Sequence, residues 1–218
     1  MRMPFVCAAL LFTAAATAQA ADSADAARTL KTIFPDAVET ELALSAAPAH
    51  LRGGATVYVY GAKGYVRVRV GTNGFTCLLN RDGFLYGSIA FKPTCWDPEG
   101  ANSYVPVMLR TGALLADGKP ADEVRAVISE GFRTGAFHRS TRTGIAYMLA
   151  GDVQLELSTG KITKTQFPGH YMIYAPGVTN ADVGYVQGAA DNTAPFIFSG
   201  GAGGADLAYL ITVPHHMP

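Results

Sequence analysis

The sequence has little charge and no long apolar run after its first residues. Only 16% of the residues are charged, and 17 Lys and Arg balance 17 Asp and Glu. This balance gives no electrostatic reason to expect nucleic acid or an anionic membrane as a partner. Beyond the N-terminus, no segment approaches the roughly 20 consecutive apolar residues that a transmembrane helix needs. We therefore expect neither a membrane span nor a nucleic-acid partner.

The motifs of several common enzyme classes are also missing. The chain contains no HExxH zinc-protease motif, no GxSxG nucleophile motif and no Walker phosphate-binding loop. The glycine-rich segment 199–207 begins like a dinucleotide fingerprint, but Asp206 stands in place of its third glycine. We interpret this segment as a loop. These absences leave enzymatic activity open and give no reason to expect a cofactor.

The N-terminus has the layout of a secretory signal peptide over residues 1–20. Arg2 supplies a cation, an apolar run follows, and small residues at positions 18 and 20 end it. The run is too short for an anchor of about 20 residues. We predict cleavage after Ala20, a periplasmic or extracellular location, and a single exported domain over residues 21–218.

Cysteine is scarce once the signal peptide is removed, because Cys7 leaves with it. Cys77 and Cys95 are too far apart in sequence for a redox CxxC motif, and no other cysteine completes a zinc set. Two cysteines in an oxidising compartment are expected to pair. We therefore predict a Cys77–Cys95 disulfide, in preference to a free thiol pair or half of a metal site, with Trp96 packed beside it.

Patterns along the mature chain predict an α+β domain with a mostly antiparallel sheet. Two short, weakly amphipathic helices are predicted before Thr56, separated by Pro35 and ended by Pro48. We expect them either to pack loosely on the domain or to act as a leader to it. The β-branched and aromatic runs that follow are joined by short turns, which favour antiparallel pairing. One central amphipathic helix is predicted from Lys119 to about Ala136, and a second set of strands follows it.

The segment FPGHYMIYAPG, residues 167–177, is the strongest candidate site. On a strand, alternate side chains share a face, which groups His170, Met172 and Tyr174 and places Tyr171 opposite. A histidine and a methionine two positions apart can bind a soft cation such as copper. The same pattern is typical of a buried strand, in which methionine fills the core and histidine bonds to the backbone.

Acidic residues in two turns offer weaker candidates. Asp97 and Glu99 are interpreted as surface turn acids, because neighbouring residues of one loop rarely flank a scissile bond. Asn180 and Asp182 resemble part of a calcium loop, but its acidic closing residue is missing. An Asx turn explains that segment better.

Several segments together resemble a family of uncharacterised exported bacterial proteins with no assigned activity. They are GTNGFTC, CWDPEG, GIAYML, HYMIYAP and NADVG, and the likeness extends from about Leu44 onward. The resemblance implies an export signal and assigns no catalytic residue. The chain departs from that family at Gly169, where the members have proline before the histidine.

Three classes of function remain open. The first is a non-catalytic binding or accessory protein that uses an aromatic surface for a small molecule or a protein partner, formed by Trp96, His170, Tyr171, Met172 and Tyr174. The second is a copper- or zinc-binding protein centred on His170 and Met172, with His138 as a further candidate ligand; His215, His216 and Met217 are candidates for adventitious binding. The third is a hydrolase with a non-standard site near His138 and His170, and Ser140 or Thr141 as nucleophile.

Overall fold

The computed structural model describes residues 22–165, 167–188 and 195–213. The predicted signal peptide and the terminal His215, His216 and Met217 lie outside these residues. Within the described part, helices accompany a large and mostly antiparallel sheet, so the predicted α+β fold class is confirmed. None of the helices in these ranges is long and apolar enough to cross a bilayer.

Along the chain, three α-helices precede the first strand and two more separate β4 from β5. The α-helices are α1 (22–30), α2 (Asp36–Ser45), α3 (Ala49–Arg52), α4 (Pro98–Ala116) and α5 (Ala121–Thr134). Two 3-10 helices are η1 (Asp82–Tyr86) and η2 (Gly204–Leu207). The strands are β1 (Thr56–Gly61), β2 (Gly64–Arg69), β3 (Thr76–Asn80), β4 (Lys92–Trp96), β5 (Ile145–Met148), β6 (Val153–Glu156), β7 (Lys161–Lys164), β8 (His170–Tyr174), β9 (Phe196–Phe198) and β10 (Tyr209–Thr212).

Eight of the strands form one sheet with the order β2-β1-β3-β4-β5-β8-β10-β9. All neighbours in it are antiparallel except β1 and β3. The β6–β7 hairpin stands apart and touches the large sheet through a bridge between Phe91 and Val153. That bridge fixes the position of Asp152, one residue before Val153, near the beginning of β4.

The two central strands, β3 and β4, are buried along their whole length. This is possible because α2 packs on one face of them and α4 on the other. The expectation of loosely packed N-terminal helices is therefore wrong for α2. Ala43, Ala46 and Ala47 have no exposed surface, and their small side chains let the backbone of this region lie close to the sheet.

The predicted disulfide is present between β3 and β4. Cys77 and Cys95 lie directly opposite each other in the antiparallel register, with their Cα atoms 4.0 Å apart. Both belong to the small core under α2, whereas Trp96 belongs to the main core. The expectation that Trp96 packs on the disulfide is therefore wrong, because successive residues of a strand point to opposite faces.

Helix α4 was not predicted from the sequence. Its first residue is Pro98, and the side chain of Asp97 caps it by accepting a hydrogen bond of 2.9 Å from the backbone N–H of Gly100. Asp97 is thus not a surface turn acid. The internal Pro106 and several glycines hid the helical pattern. The predicted central helix is confirmed as α5, which begins after Pro120 and ends at Thr134.

Candidate functional site

A cavity of about 220 Å³ lies against the sheet face that carries Trp96. Its floor is made by β4, β5, β8, β10 and β9, and η1 contributes to its roof. The sheet register explains why these side chains converge. Met148 opposes His170, Met172 opposes Ile211, and Tyr209 opposes Phe198, and all of these side chains line the cavity. A large part of the wall is therefore aromatic or sulfur-containing.

One end of the cavity holds a buried ion pair. Lys92, the first residue of β4, places its Nζ 2.6 Å from Oδ1 of Asp82 in η1. The other carboxylate oxygen of Asp82 accepts a bond from the backbone N–H of Ala202. Nζ also lies 4.6 Å from the ring centre of Tyr86 and 5.6 Å from that of Phe198. Burial opposes the charge of Lys92, but Asp82 and Tyr86 outweigh it and raise the pKa of the lysine.

A second carboxylate, that of Asp152, lies near this pair and lines the cavity. Oδ1 of Asp152 is buried and has no hydrogen-bond partner. Burial raises the pKa of Asp152, and the charge of Lys92 opposes that shift only in part. A desolvated carboxylate oxygen without a donor is unfavourable for the folded protein. Among the described residues that line the cavity, Asp152 is the side chain with a buried polar atom that lacks a hydrogen-bond partner.

His170 is buried, and its Nδ1 lies 2.9 Å from the carbonyl oxygen of Pro168. A carbonyl oxygen only accepts, so this contact places a proton on Nδ1 and makes Nε2 an acceptor in the neutral ring. Burial lowers the pKa of His170 and favours that neutral form. The edge of Phe167 also contacts the ring, with the two ring centres 4.8 Å apart.

Gly169 explains how the chain enters this strand. A Cβ atom at this position would lie 2.4 Å from the carbonyl oxygen of Leu149. Any side chain there would force the backbone of one segment to move. The approach of the two segments helps to hold His170 at the cavity, and it accounts for glycine at position 169.

The structure divides the predicted ligand surface. Trp96, His170 and Met172 line the cavity. Tyr174 is buried nearby, but its hydroxyl lies 2.8 Å from Oδ1 of Asp97 and 2.9 Å from the carbonyl oxygen of Ile145. Tyr171 points to the other face of the sheet, where it contacts Tyr147.

The candidate residues for metal binding and hydrolysis are only partly brought together. His138 is exposed and does not line the cavity. In the described ranges no group of three or more His, Cys, Asp or Glu side chains is placed to hold a metal ion. The backbone N–H of Thr141 donates to Glu99, 2.7 Å away, and this bond is the main cause of the lowered pKa of Glu99. The loop that contains Thr141 is therefore bound to the first turn of α4 through Glu99.

The charged groups of the cavity were not predicted from the sequence. Asp82 follows β3 and Asp152 precedes β6, and only the fold brings both side chains close to Lys92. One signal was present in the sequence. Lys92, Thr94 and Trp96 alternate along one face of a strand that is otherwise apolar. A lysine on the same strand face as a buried tryptophan points to a charged group that needs a partner.

Comparison with known proteins adds no assignment to this geometry. No protein-family model, curated protein or solved structure matches the chain. Its resemblance to exported bacterial proteins stays a prediction, and its function has to be argued from the cavity.

Proposed function

We propose that this is an exported, non-catalytic binding protein that holds a small organic molecule in the cavity between the sheet and η1. The observation that carries the proposal is the cavity itself, which combines aromatic walls with a few polar groups at one end. That combination is typical of small-molecule sites, in which apolar walls supply affinity and polar groups fix orientation.

The size of the cavity limits the ligand. An apolar cavity of about 150 Å³ accommodates benzene, and this cavity measures about 220 Å³. It therefore suits one ring with a short chain, or an aliphatic body of similar bulk.

The polar wall is organised for binding. His170 is held by Pro168, Lys92 is held by Asp82, and Ser88 accepts a bond from the backbone N–H of Ala90. Fixed partners of this kind keep side chains in one orientation before a ligand arrives, which lowers the entropy lost on binding. The same bonds also hold neighbouring segments of the fold together.

The covalent structure supports export. Disulfides persist in oxidising compartments such as the periplasm and the extracellular space, and the Cys77–Cys95 bridge is present. We therefore retain the predicted signal peptide and its cleavage after Ala20 as part of the proposal.

Trp96 provides a direct test of binding, because it is the only tryptophan and it lines the cavity. We expect 2-phenylethanol, a neutral single-ring probe, to change the fluorescence of Trp96 in a saturable way and to raise the melting temperature. Ile211→Phe, which adds bulk to the cavity wall, is expected to abolish both effects. Ser88→Phe adds the same bulk at a different position of the cavity wall. It provides a second test if Ile211→Phe does not fold.

Val66→Phe is the matched control for these substitutions. Val66 lies on the edge strand β2 with 57% of its surface exposed, so the same added ring is placed far from the cavity. This variant should bind the probe as the parent does. Equal binding by the parent and by both folded cavity variants would contradict the proposal.

A copper-binding protein is the second candidate, because the cavity also brings methionine to His170. Met148 and Met172 both line it, and Met148 is the cross-strand neighbour of His170. Imidazole and thioether are ligands that copper(I) favours. On this hypothesis, native mass spectrometry under anaerobic conditions shows one copper(I) ion per chain. The ion is lost in His170→Ala and kept in His138→Ala; retention in both variants would exclude this site.

A further inference from the structure

We infer that the ligand of the cavity is an organic amine, whose ammonium group pairs with Asp152 while its apolar body lies against the aromatic wall. This inference rests on the proposed function and names the chemical class of its ligand. It follows from the charges that line the cavity, from the hydrogen-bonding needs of its walls and from its rings.

The charges of the cavity wall do not balance. The titratable side chains that line it are Asp82, Tyr86, Lys92, Asp152, His170 and Tyr209. The single cation, Lys92, is bonded to Asp82 at 2.6 Å, and burial keeps His170 neutral by lowering its pKa. Burial also raises the pKa of Tyr86 to about 12, so its phenol is neutral. Among the described residues Asp152 therefore has no salt-bridge partner, and the nearby cation, Lys92, is already paired with Asp82.

The wall presents acceptors that need donors. Oδ1 of Asp152 is buried and receives no hydrogen bond, and the bond from Nδ1 of His170 to Pro168 makes Nε2 an acceptor. An ammonium group carries three N–H donors and one positive charge. It satisfies the donor requirement of Asp152 and the missing charge together, and hydrogen bonds between ionised groups are the strong ones.

The aromatic walls favour the same class of ligand. The ammonium group of Lys92 already lies over the rings of Tyr86 and Phe198, which shows that this environment accepts a cation. Trp96 and Phe196 add two further rings to the wall of the cavity. An amine on a short chain from one ring, such as 2-phenylethylamine, matches this layout and the size of the cavity. A carboxylate ligand would instead face the unpaired charge of Asp152.

The test compares three probes of nearly equal size on the full chain: 2-phenylethylamine, 2-phenylethanol and phenylacetate. Binding is followed by Trp96 fluorescence and by calorimetry. We expect the amine to bind at least about tenfold more tightly than the alcohol, as for a hydrogen bond to a charged group. Asp152→Asn should remove that preference, because the amide side chain carries no negative charge. Asp122→Asn, an exposed aspartate of α5, should leave the amine preference intact.

The pH dependence gives an independent readout. The affinity for the amine should fall on acidification as Asp152 is protonated. Because burial raises the pKa of Asp152, the fall should begin above the usual aspartate range near about 3.9. Protonation of His170 at low pH would also weaken amine binding, because it places a second positive charge in the cavity. The Asp152→Asn variant distinguishes the two effects, because it removes only the part of the pH dependence that is due to Asp152. Asp82 is paired with Lys92, and the raised pKa values of Tyr86 and Tyr209 keep both phenols neutral here.

The melting temperature of Asp152→Asn without ligand shows whether this variant folds. A carboxyl whose pKa is raised by folding stabilises the protein at low pH and loses that contribution as the pH rises through its folded pKa. Asp152→Asn should therefore melt at a higher temperature than the parent at neutral pH. Equal affinity for amine and alcohol, or tightest binding of phenylacetate, would overturn the inference and leave the binding function standing. If none of the three probes binds, the proposed function fails as well.

Discussion

Glu39→Leu is expected to destabilise the protein by about 3–5 kcal/mol, the usual result of leaving one partner of a buried ion pair alone. The carboxylate of Glu39 in α2 lies 2.6 Å from the guanidinium of Arg81, and both side chains are almost fully buried. Glu39 also accepts a bond of 2.9 Å from the backbone N–H of Tyr60. The substitution therefore removes a counter-ion and a hydrogen-bond acceptor together.

Arg81 joins three parts of the fold, which is why its charge is difficult to leave unpaired. It donates to the carbonyl oxygens of Leu30 and Thr32, 2.7 and 2.9 Å away, beyond its bond to Glu39. Its guanidinium carbon lies 4.4 Å from the ring centre of Tyr60 and 4.9 Å from that of Phe91. Aromatic faces stabilise a cation that has left water, but they do not replace a carboxylate.

Urea unfolding of Glu39→Leu, Arg81→Met and the double variant measures this coupling. We expect each single variant to lose more stability than the double variant, because two apolar side chains of suitable size leave no buried charge behind. Glu130→Leu, whose partner Arg133 is exposed, should change stability far less than Glu39→Leu does, because exposed ion pairs contribute little. Additive losses in the double variant would show that the pair is not coupled.

The pH dependence of Arg81→Met has a defined sign. Burial raises the pKa of Glu39, and the charge of Arg81 is the largest opposing effect. Without Arg81 the upward shift should grow. A carboxyl with a raised folded pKa contributes stability below its unfolded pKa and loses it as the pH rises. Relative to the double variant, Arg81→Met should therefore recover stability as the pH is lowered toward about 4.3, the usual glutamate value.

Cys77→Ala is expected to lower the free energy of unfolding by about 2–5 kcal/mol, the typical effect of removing a native disulfide. The bridge closes a loop with a sequence separation of 18 residues, and both cysteines are fully buried between α2 and the sheet. Cross-linking restricts the unfolded chain, so its removal favours unfolding. The bond also links the two central strands of the sheet.

Chemical denaturation of the parent, each single variant and the double Cys77→Ala, Cys95→Ala variant tests this point. The double variant should be no less stable than either single one, because the bond is lost at the first substitution. Reducing agent should destabilise the parent and leave all variants unchanged. An unchanged midpoint for the parent after complete reduction would show that the bridge does not support stability.

Local pattern predicted most of the strands and α5, because each depends on neighbouring residues, and the cysteine count predicted the disulfide. β4 was missed, because the segment that carries Cys95 was interpreted as a long loop. The alternation in HYMIYA is enough to place His170 and Met172 on one buried face. Helix α4 was not predicted because Gly100, Pro106 and Gly112 are residues of low helical propensity. Its stability comes from packing on the sheet, where Gly112, for example, leaves space for the ring of Tyr65.

The candidate site could be predicted only on its sheet side. The strand positions that line it follow from alternation and register, but its charged end depends on three segments distant in sequence: Asp82 in η1, Lys92 in β4 and Asp152 before β6. Arg81 and Glu39 were missed for the same reason, since they are 42 residues apart. Such pairs are fixed by tertiary packing, which no local periodicity encodes.

The position of the disulfide has a consequence for the order in which the protein matures. A ribosome makes Cys77 and Cys95 before any residue of β5, β8, β9 or β10. The bridge needs only β3 and β4, so it is available for oxidation while the chain is still incomplete. The cavity, in contrast, needs strands that end at Thr212. The centre of the sheet can therefore be closed covalently before the last strands that line the cavity have been made.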